Sequence, residues 1–335
     1  MRFLLDAEQR EFARSLDAML TAADTVAATR AWGVGDHAPG RAVWARLADA
    51  GLFALPVPEE YEGVGPLPVE TAVAFVELGR HAVPGPVVET VAAAALLAHL
   101  AEEDEREPAK RLLPFLASGA VSATLALPDG GPHALDADAA DLILAVSDDA
   151  LRLAPGHARV RRSLDPARRL AAPSPGGELL ASGPAVVAAA RHATRWAALA
   201  TAAQALGVGL ALLDRTVSYA KQRTQFGTPI GSFQAVKHRL ADVLVRLEFA
   251  RPLVFGAATT MDPGDVAAAK VTAGEAAYAA ARTALQLHGA VGYTAEFDLS
   301  LWLTKARALR SAWGDPGLWR GRALAAYGEG AAGTG

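Results

Sequence analysis

The residues best placed to do chemistry lie in one stretch, Arg223-Thr-Gln-Phe-Gly-Thr-Pro-Ile-Gly-Ser-Phe-Gln-Ala-Val-Lys-His-Arg-Leu-Ala-Asp242. It reads as a helix end, a Gly/Pro turn and a new helix opening near Ser232, a residue type that caps helix N-termini. A helix N-terminus presents free N–H groups and a partial positive charge. With Arg223 just ahead of the turn, both could hold one anion. An arginine there also complements the dipole of the helix that ends at it, so the residue types alone leave two readings open. A second stretch is Gln286-Leu-His-Gly-Ala-Val-Gly-Tyr-Thr294. Its bare Gly289 and Gly292 would let backbone approach a nucleotide, or they form a helix C-cap turn. His288 has no histidine partner at metal-ligating spacing, so it reads as a packed or capping residue and no metal site is expected. The chain has no cysteine, which excludes disulfides, thiolate metal sites and cysteine nucleophiles.

The elements that must position these residues follow from composition and pattern. The 335 residues suit one large domain or two to three modules. Hydrophobic residues make up 52%, charged residues 20%, and mean hydropathy is +0.19, enough for a large core. Of the apolar set, 78 residues are alanine, a helix former, which points to an α-rich fold. Net charge is −4 and the pI about 6.1, so no basic surface for nucleic acid is announced. The N-terminal MRFLLDAEQREFARS carries too short an apolar run for a signal peptide. Trp196–Leu213 approaches transmembrane length but is mostly Ala, Gly, Thr and Gln, and reads as a buried helix. A cytoplasmic protein with no membrane contact is expected.

Helical spacing dominates residues 1–119, through Phe12, Leu16, Met19 and Leu20, then Val43, Leu47 and Leu52, then Thr71–Leu78 and Val87–Leu100. The acidic run Glu102–Glu107 reads as a solvated helix start. Residues 120–181 carry short apolar runs, Thr124–Leu127, Leu142–Val146 and Leu151–Leu153, between Pro, Gly and Asp clusters. This predicts a small β module of four to six strands. In residues 182–335, Pro184–Ala220, Ser232–Thr260 and Pro263–Leu287 each exceed 20 residues and predict antiparallel helices in a bundle. The Gly/Ala-rich tail Gly328–Gly335 is expected to fray.

The string from Arg223 to Asp242 strongly resembles the acyl-CoA dehydrogenase family, where R-x-x-F-G followed by F-Q or H-Q marks the flavin-binding turn. Gln286–Thr294 is similar to the family's Q-x-x-G-G-x-G-Y/F, and Pro58-Glu-Glu-Tyr-Glu-Gly-Val-Gly65 resembles its P-E-E-Y-G-G-x-G. The segment Leu5–Arg10 looks like its first helix. The resemblance implies a mainly α fold with a small β module: an N-terminal helical domain, a middle β domain and a C-terminal four-helix bundle. It also implies FAD, an acyl-CoA substrate and a dimer or tetramer with FAD across a subunit interface. Carried over, Arg223 pairs with the FAD pyrophosphate, and Gln225 and Phe226 line the same turn. Gln234 approaches the flavin, while Gln286 and Gly289 contact the AMP half. A bidentate arginine suits phosphate.

The sequence departs from the family where the family does its chemistry. A glutamate there removes the acyl α proton, a role suited to a desolvated carboxylate. Counting on from Gly292 without a gap places Trp313 at that position and Asp315 at the following flavin-contacting threonine. The alternative base position, on the helix before the R-x-x-F-G turn, is closed too, because Leu179–Leu213 contains no Asp or Glu. Asp315 is the one acid between Asp298 and Glu329 and the remaining candidate for a displaced base. The family's T-E-P-x-x-G-S-D string is replaced by Ala126-Leu-Pro-Asp-Gly-Gly-Pro132, and the stretch that follows it in the family is missing. The β module is therefore read as shortened on the side that would hold the isoalloxazine ring. The expectation is a subunit that lends the phosphate half of a FAD site to a homologous catalytic chain, such as occurs in hetero-oligomeric actinobacterial members acting on steroid side chains. A flavin monooxygenase or other redox protein on the same fold and a flavin-free scaffold subunit are the alternatives. Trp302, Trp313 and Trp319 cluster in sequence near the missing base, as core packing or as the filling of an inactive pocket.

Overall fold

The computed structural model describes residues 5–332. Six helices come first: α1 (Ala7–Thr21), α2 (Thr25–Gly33), α3 (Ala38–Asp49), α4 (Pro68–Arg80), α5 (Val87–Glu102) and α6 (Arg106–Ala117). Asp6 opens α1 with a capping box, its side chain accepting from Gln9 N while Gln9 answers the Asp6 N–H. The run Glu102–Glu107 does not start one helix. It ends α5, turns through Asp104 at φ +69° and begins α6 at Arg106.

The β module follows: β1 (Ala123–Ala126), β2 (Ala134–Leu135), β3 (Leu142–Ser147), β4 (Ala150–Leu153), β5 (Arg161–Arg162), β6 (Arg169–Ala171) and β7 (Glu178–Ser182). One sheet runs β1-β3-β4-β7, with β1 and β3 parallel, and a smaller one runs β2-β6-β5. Seven strands exceed the expected four to six. The surplus comes from β2, β5 and β6, which are two or three residues long and too short to show alternation.

The last segment holds α7 (Pro184–Gln222), a hairpin of β8 (Thr224–Gln225) and β9 (Thr228–Pro229), α8 (Gln234–Thr260), α9 (Pro263–His288), α10 (Leu299–Ser311) and α11 (Pro316–Ala332). The segment holds five helices, in keeping with the expected C-terminal helical bundle, and α9 lies among α7, α8, α10 and α11. The tail expected to fray is helical to Ala332, and its last three residues lie outside the described residues.

Helix α7 is the axis of the molecule. Its most apolar window is long enough to cross a membrane, yet 94% of it is buried in the fold, under α4, α5, α8, α9 and α10. At the α4 crossing the backbones touch. A Cβ on Gly79 would lie 2.1 Å from Gln204 O, and one on Gly207 would lie 1.9 Å from Val76 O. Only glycine permits that approach. One continuous hydrophobic core runs from Leu16 of α1 through the β module to Trp319 of α11.

Candidate functional site

The ends of three helices meet at one end of the bundle. Arg223 closes α7, its N–H donating to Tyr219 O at 2.9 Å. Its guanidinium is exposed and has no partner among the described residues. The β8–β9 hairpin turns through Phe226 at φ +53° and Gly227 at φ +77°, the left-handed pair of a tight two-residue turn. This lifts Phe226 to 94% exposure, edge-on to Phe233 with ring centroids 6.3 Å apart. Gln225 is exposed in the same hairpin.

The expected cap at Ser232 is not made. Its hydroxyl donates to Pro229 O at 2.7 Å, the N-cap is Phe233, and no side chain caps α8. Val236 N–H donates to Phe233 O at 3.1 Å, and the first-turn N–H groups of Gln234 and Ala235 remain available to an anion. The end of α9 returns to this point, since Arg239 of α8 donates to Gln286 Oε1. Gly289 ends α9 at φ +64°, and a Cβ built there would meet open space. His288 is buried, its Nδ1 lies 2.8 Å from Ala284 O, and its ring stacks on Tyr219 at 4.1 Å, tying α9 to α7. Burial holds its pKa below the usual imidazole value. A groove of about 1000 Å³ continues from Gln286 along α8 and α9, lined by Arg239, Arg246, Arg282 and Arg310, with Glu275 bound to Arg310. Unpaired arginine, uncapped N–H groups and open glycine backbone fit the diphosphate and nucleotide half of FAD.

The region around Trp313 is built differently. Trp313 follows α10 at φ +58° and is 7% exposed. Its Nε1 donates to Glu89 Oε1 on α5 at 3.3 Å. Its ring lies against the Leu127–Gly131 turn of the β module, so that a Cβ on Gly130 would sit 3.1 Å from Cε3 and Cζ3. Trp319 Nε1 donates to Trp313 O at 2.8 Å. A cavity of about 390 Å³ adjoins the indole, lined by Glu89, His133, Arg168, Arg307 and Arg310. Beneath it lies a buried charged network. Arg168 Nη2 is 4.0 Å from Glu89 Oε1, and Lys305 Nζ is 3.1 Å from Asp165 Oδ2, with both members of the second pair almost fully buried. Burial pushes the Glu89 carboxyl up. Lys270 is 2% exposed and donates to Leu309 O at 3.0 Å at the end of α10, and burial pushes it down to about 7.

Asp315 is exposed and accepts from Gly317 N at 2.7 Å and Leu318 N at 3.0 Å. It caps α11, and these N–H groups hold its carboxyl below the usual range. Such a group is poorly suited to take a proton from carbon. Trp302 does not join Trp313 and Trp319. Its Nε1 donates to Arg80 O at 2.9 Å, and Arg215 lies over its ring at 3.7 Å. Sequence reasoning did not single out Glu89, Asp165, Lys270 or Lys305. A signal was present: Glu89 is the one acid in the apolar run from Val87 to Ala101, and the chain has only 5 lysines against 27 arginines. Two of those lysines are the buried ones.

Residues 6–120 match the acyl-CoA dehydrogenase N-terminal domain and residues 187–321 the acyl-CoA dehydrogenase C-terminal domain. The chain is 36% identical over 304 residues to the acyl-CoA dehydrogenase IpdE2 of Mycobacterium tuberculosis, covering 89% of this chain and 91% of that one. Among solved structures it is similar to the ChsE4-ChsE5 complex from Mycobacterium tuberculosis, with TM-score 0.79, 25% identity, and coverage of 97% of this chain and 99% of that one. It shares its fold with butyryl-CoA dehydrogenase from Megasphaera elsdenii, with TM-score 0.80, 21% identity, and coverage of 98% and 100%.

Proposed function

The chain belongs to the acyl-CoA dehydrogenase family, and from that premise we propose that it is the subunit which supplies the diphosphate and AMP side of a FAD site completed by a homologous catalytic chain. The cofactor is FAD, which when bound takes the hydride from the acyl β carbon while a base removes the α proton. Arg223 pairs with the pyrophosphate, helped by the uncapped N–H groups of α8. Gln225 and Phe226 line the turn, Gln234 reaches toward the flavin, and Gln286 and Gly289 face the AMP half. The partner brings the base and the ring pocket. The substrate is an acyl-CoA thioester of the fatty-acid or steroid side-chain class, and the complex acts in the cytoplasm.

The observation that carries this reading is the contrast between the two halves. Arg223, Gln225, Phe226 and Gln234 are all exposed at one end of the bundle, while Trp313 fills the position where the family keeps its base. A second observation supports it. Along α8, Val243, Leu247, Ala250 and Val254 are buried, yet Leu244, Val245, Phe249 and Leu253 face outward at 46%, 52%, 71% and 41% exposure. An apolar stripe of that kind on a long helix marks an association surface. The similar ChsE4-ChsE5 structure is, by its description, a complex.

The test is expression alone and with homologous dehydrogenase chains. The lone chain should be colourless and inactive, and the complex should be yellow and oxidise an acyl-CoA. Arg223→Ala should weaken flavin retention in the complex by about tenfold or more, the scale of a lost charge-assisted contact. A lone chain that binds one FAD and oxidises an acyl-CoA defeats the proposal.

A further inference from the structure

Resting on the subunit reading above, we infer that Trp313, latched to Glu89, closes this chain's own acyl pocket, so that the thioester enters only at the partner's. A base must reach the acyl α carbon, so a side chain that starts at the base position and turns inward occupies the room of the reacting carbons. The indole does turn inward. It is 7% exposed, it touches the β-module turn at Gly130, and its N–H meets a carboxylate on α5. Tryptophan suits the task because it joins a large apolar body to one polar handle.

The latch is specific. Glu89 is 3% exposed, its Oε1 accepts the indole N–H, and its Oε2 has no hydrogen-bond partner. A carboxylate this deep is costly, and the indole N–H and the nearby Arg168 partly offset that cost. The backbone of Trp313 is in the left-handed region, which is unfavourable for any residue with a Cβ. It is held there by the Trp319 N–H on its carbonyl. Glu89 and Trp319 are thus positioning residues for the closure. What remains beside the indole is a cavity of about 390 Å³, in which Leu125, Leu135, Leu164 and Leu170 share the lining with Arg168, Arg307, Arg310 and His133.

Binding of octanoyl-CoA and of free CoA to the purified full chain, by calorimetry, tests the closure without flavin or turnover. In the wild type the acyl tail should add nothing, with the two affinities within about twofold. In Trp313→Ala the octanoyl thioester should bind at least about tenfold tighter than CoA, near the span of a few buried methylenes. Tail-dependent binding by the wild type, or none by a folded Trp313→Ala, overturns the closure. Should that variant not fold, Trp313→Leu keeps an apolar side chain and should show a smaller gain, and its absence counts equally against the idea. The latch has its own readout in hydrogen exchange at the Trp313 indole N–H, followed by NMR. Glu89→Leu should speed it at least about tenfold, as expected when a buried hydrogen bond is lost. Glu89→Gln, still an acceptor, should restore protection. Equal exchange in all three overturns the latch. Failure of the subunit reading would appear in flavin content and native mass, which enter neither measurement.

Discussion

Alanine at Gly79 or Gly207 would force apart two helices whose backbones touch. The added Cβ would stand 2.1 Å from Gln204 O or 1.9 Å from Val76 O, against 3.4 Å for ordinary contact. Helices α4 and α7 must then part by about 1.3–1.5 Å, and a gap of that size forfeits much of the dispersion attraction along the seam. Overpacking of this kind costs about 1–3 kcal/mol, and so rigid a contact belongs at the upper end. The better helix propensity of alanine returns about 1 kcal/mol. Each single variant should therefore lose about 1–2 kcal/mol, read as a lower urea midpoint and a melting temperature down by about 2–4 °C. The double variant is more informative. Once the helices have parted for one methyl group the second fits in the same gap, so the pair should cost little more than one substitution. That is a favourable coupling of about 1–2 kcal/mol. Gly321→Ala is the control. Nothing lies within 4 Å of a Cβ there, and it should stabilise by up to about 1 kcal/mol. Stabilisation by either seam variant, or strict additivity of the two, would refute the reasoning.

Three further outcomes are expected. Lys305→Ala leaves Asp165 buried without its cation and should cost about 3–5 kcal/mol in urea unfolding, whereas the double Lys305→Met, Asp165→Leu variant should recover most of the loss. Lys270 has a folded-state pKa near 7 against an unfolded value near 10.5. The unfolded chain therefore gains this proton first as pH falls, and stability is lost between about 10 and 7. Lys270→Met removes that slope, so unfolding curves at pH 7 and 9.5 should show the wild type gaining on the variant as pH rises, and parallel behaviour would contradict the assignment. Phe249→Asp, at a position 71% exposed, should abolish assembly with the catalytic chain in sedimentation while leaving the melting temperature of the lone chain within about 1–2 °C.

Much of this was legible in the sequence, and the failures have physical causes. The long helices announced themselves because Pro184, Pro229, Pro263 and the Gly/Pro turns between them bound runs of alanine and leucine. The helix end at Arg223, the tight turn after it and the start of the next helix were legible because they are local events written in adjacent residues, whereas the roles of Gln225, Phe226 and Gln234 came from the family resemblance. Ser232 misled, because the helix starts one residue later, with Phe233 at the N-cap, and the Ser232 hydroxyl turns back to donate to Pro229 O. Strands β2, β5 and β6 escaped because two or three residues carry no period. The network under Trp313 escaped for a different reason. Glu89, Asp165, Arg168, Lys270 and Lys305 come from α5, a β-module loop, α9 and α10, and only the folded chain brings them together. Trp313 stands between these cases: the count along the family motif placed a tryptophan where a glutamate was expected, but the direction of the indole could not be read from it.

The burial of α7 bears on how the chain is made. This helix would suit a lipid bilayer if it were released alone, and its apolar surface is an aggregation hazard until it is covered. Two of its covers, α4 and α5, precede it by more than 80 residues and leave the ribosome first. They can fold and wait with Gly79 presented, so that α7 docks on a template as it emerges. The other covers, α8, α9 and α10, arrive later and close the second side. A fragment beginning at Pro184 would lack that template. It should be recovered in the insoluble fraction or with chaperones, although it contains every residue assigned to the flavin.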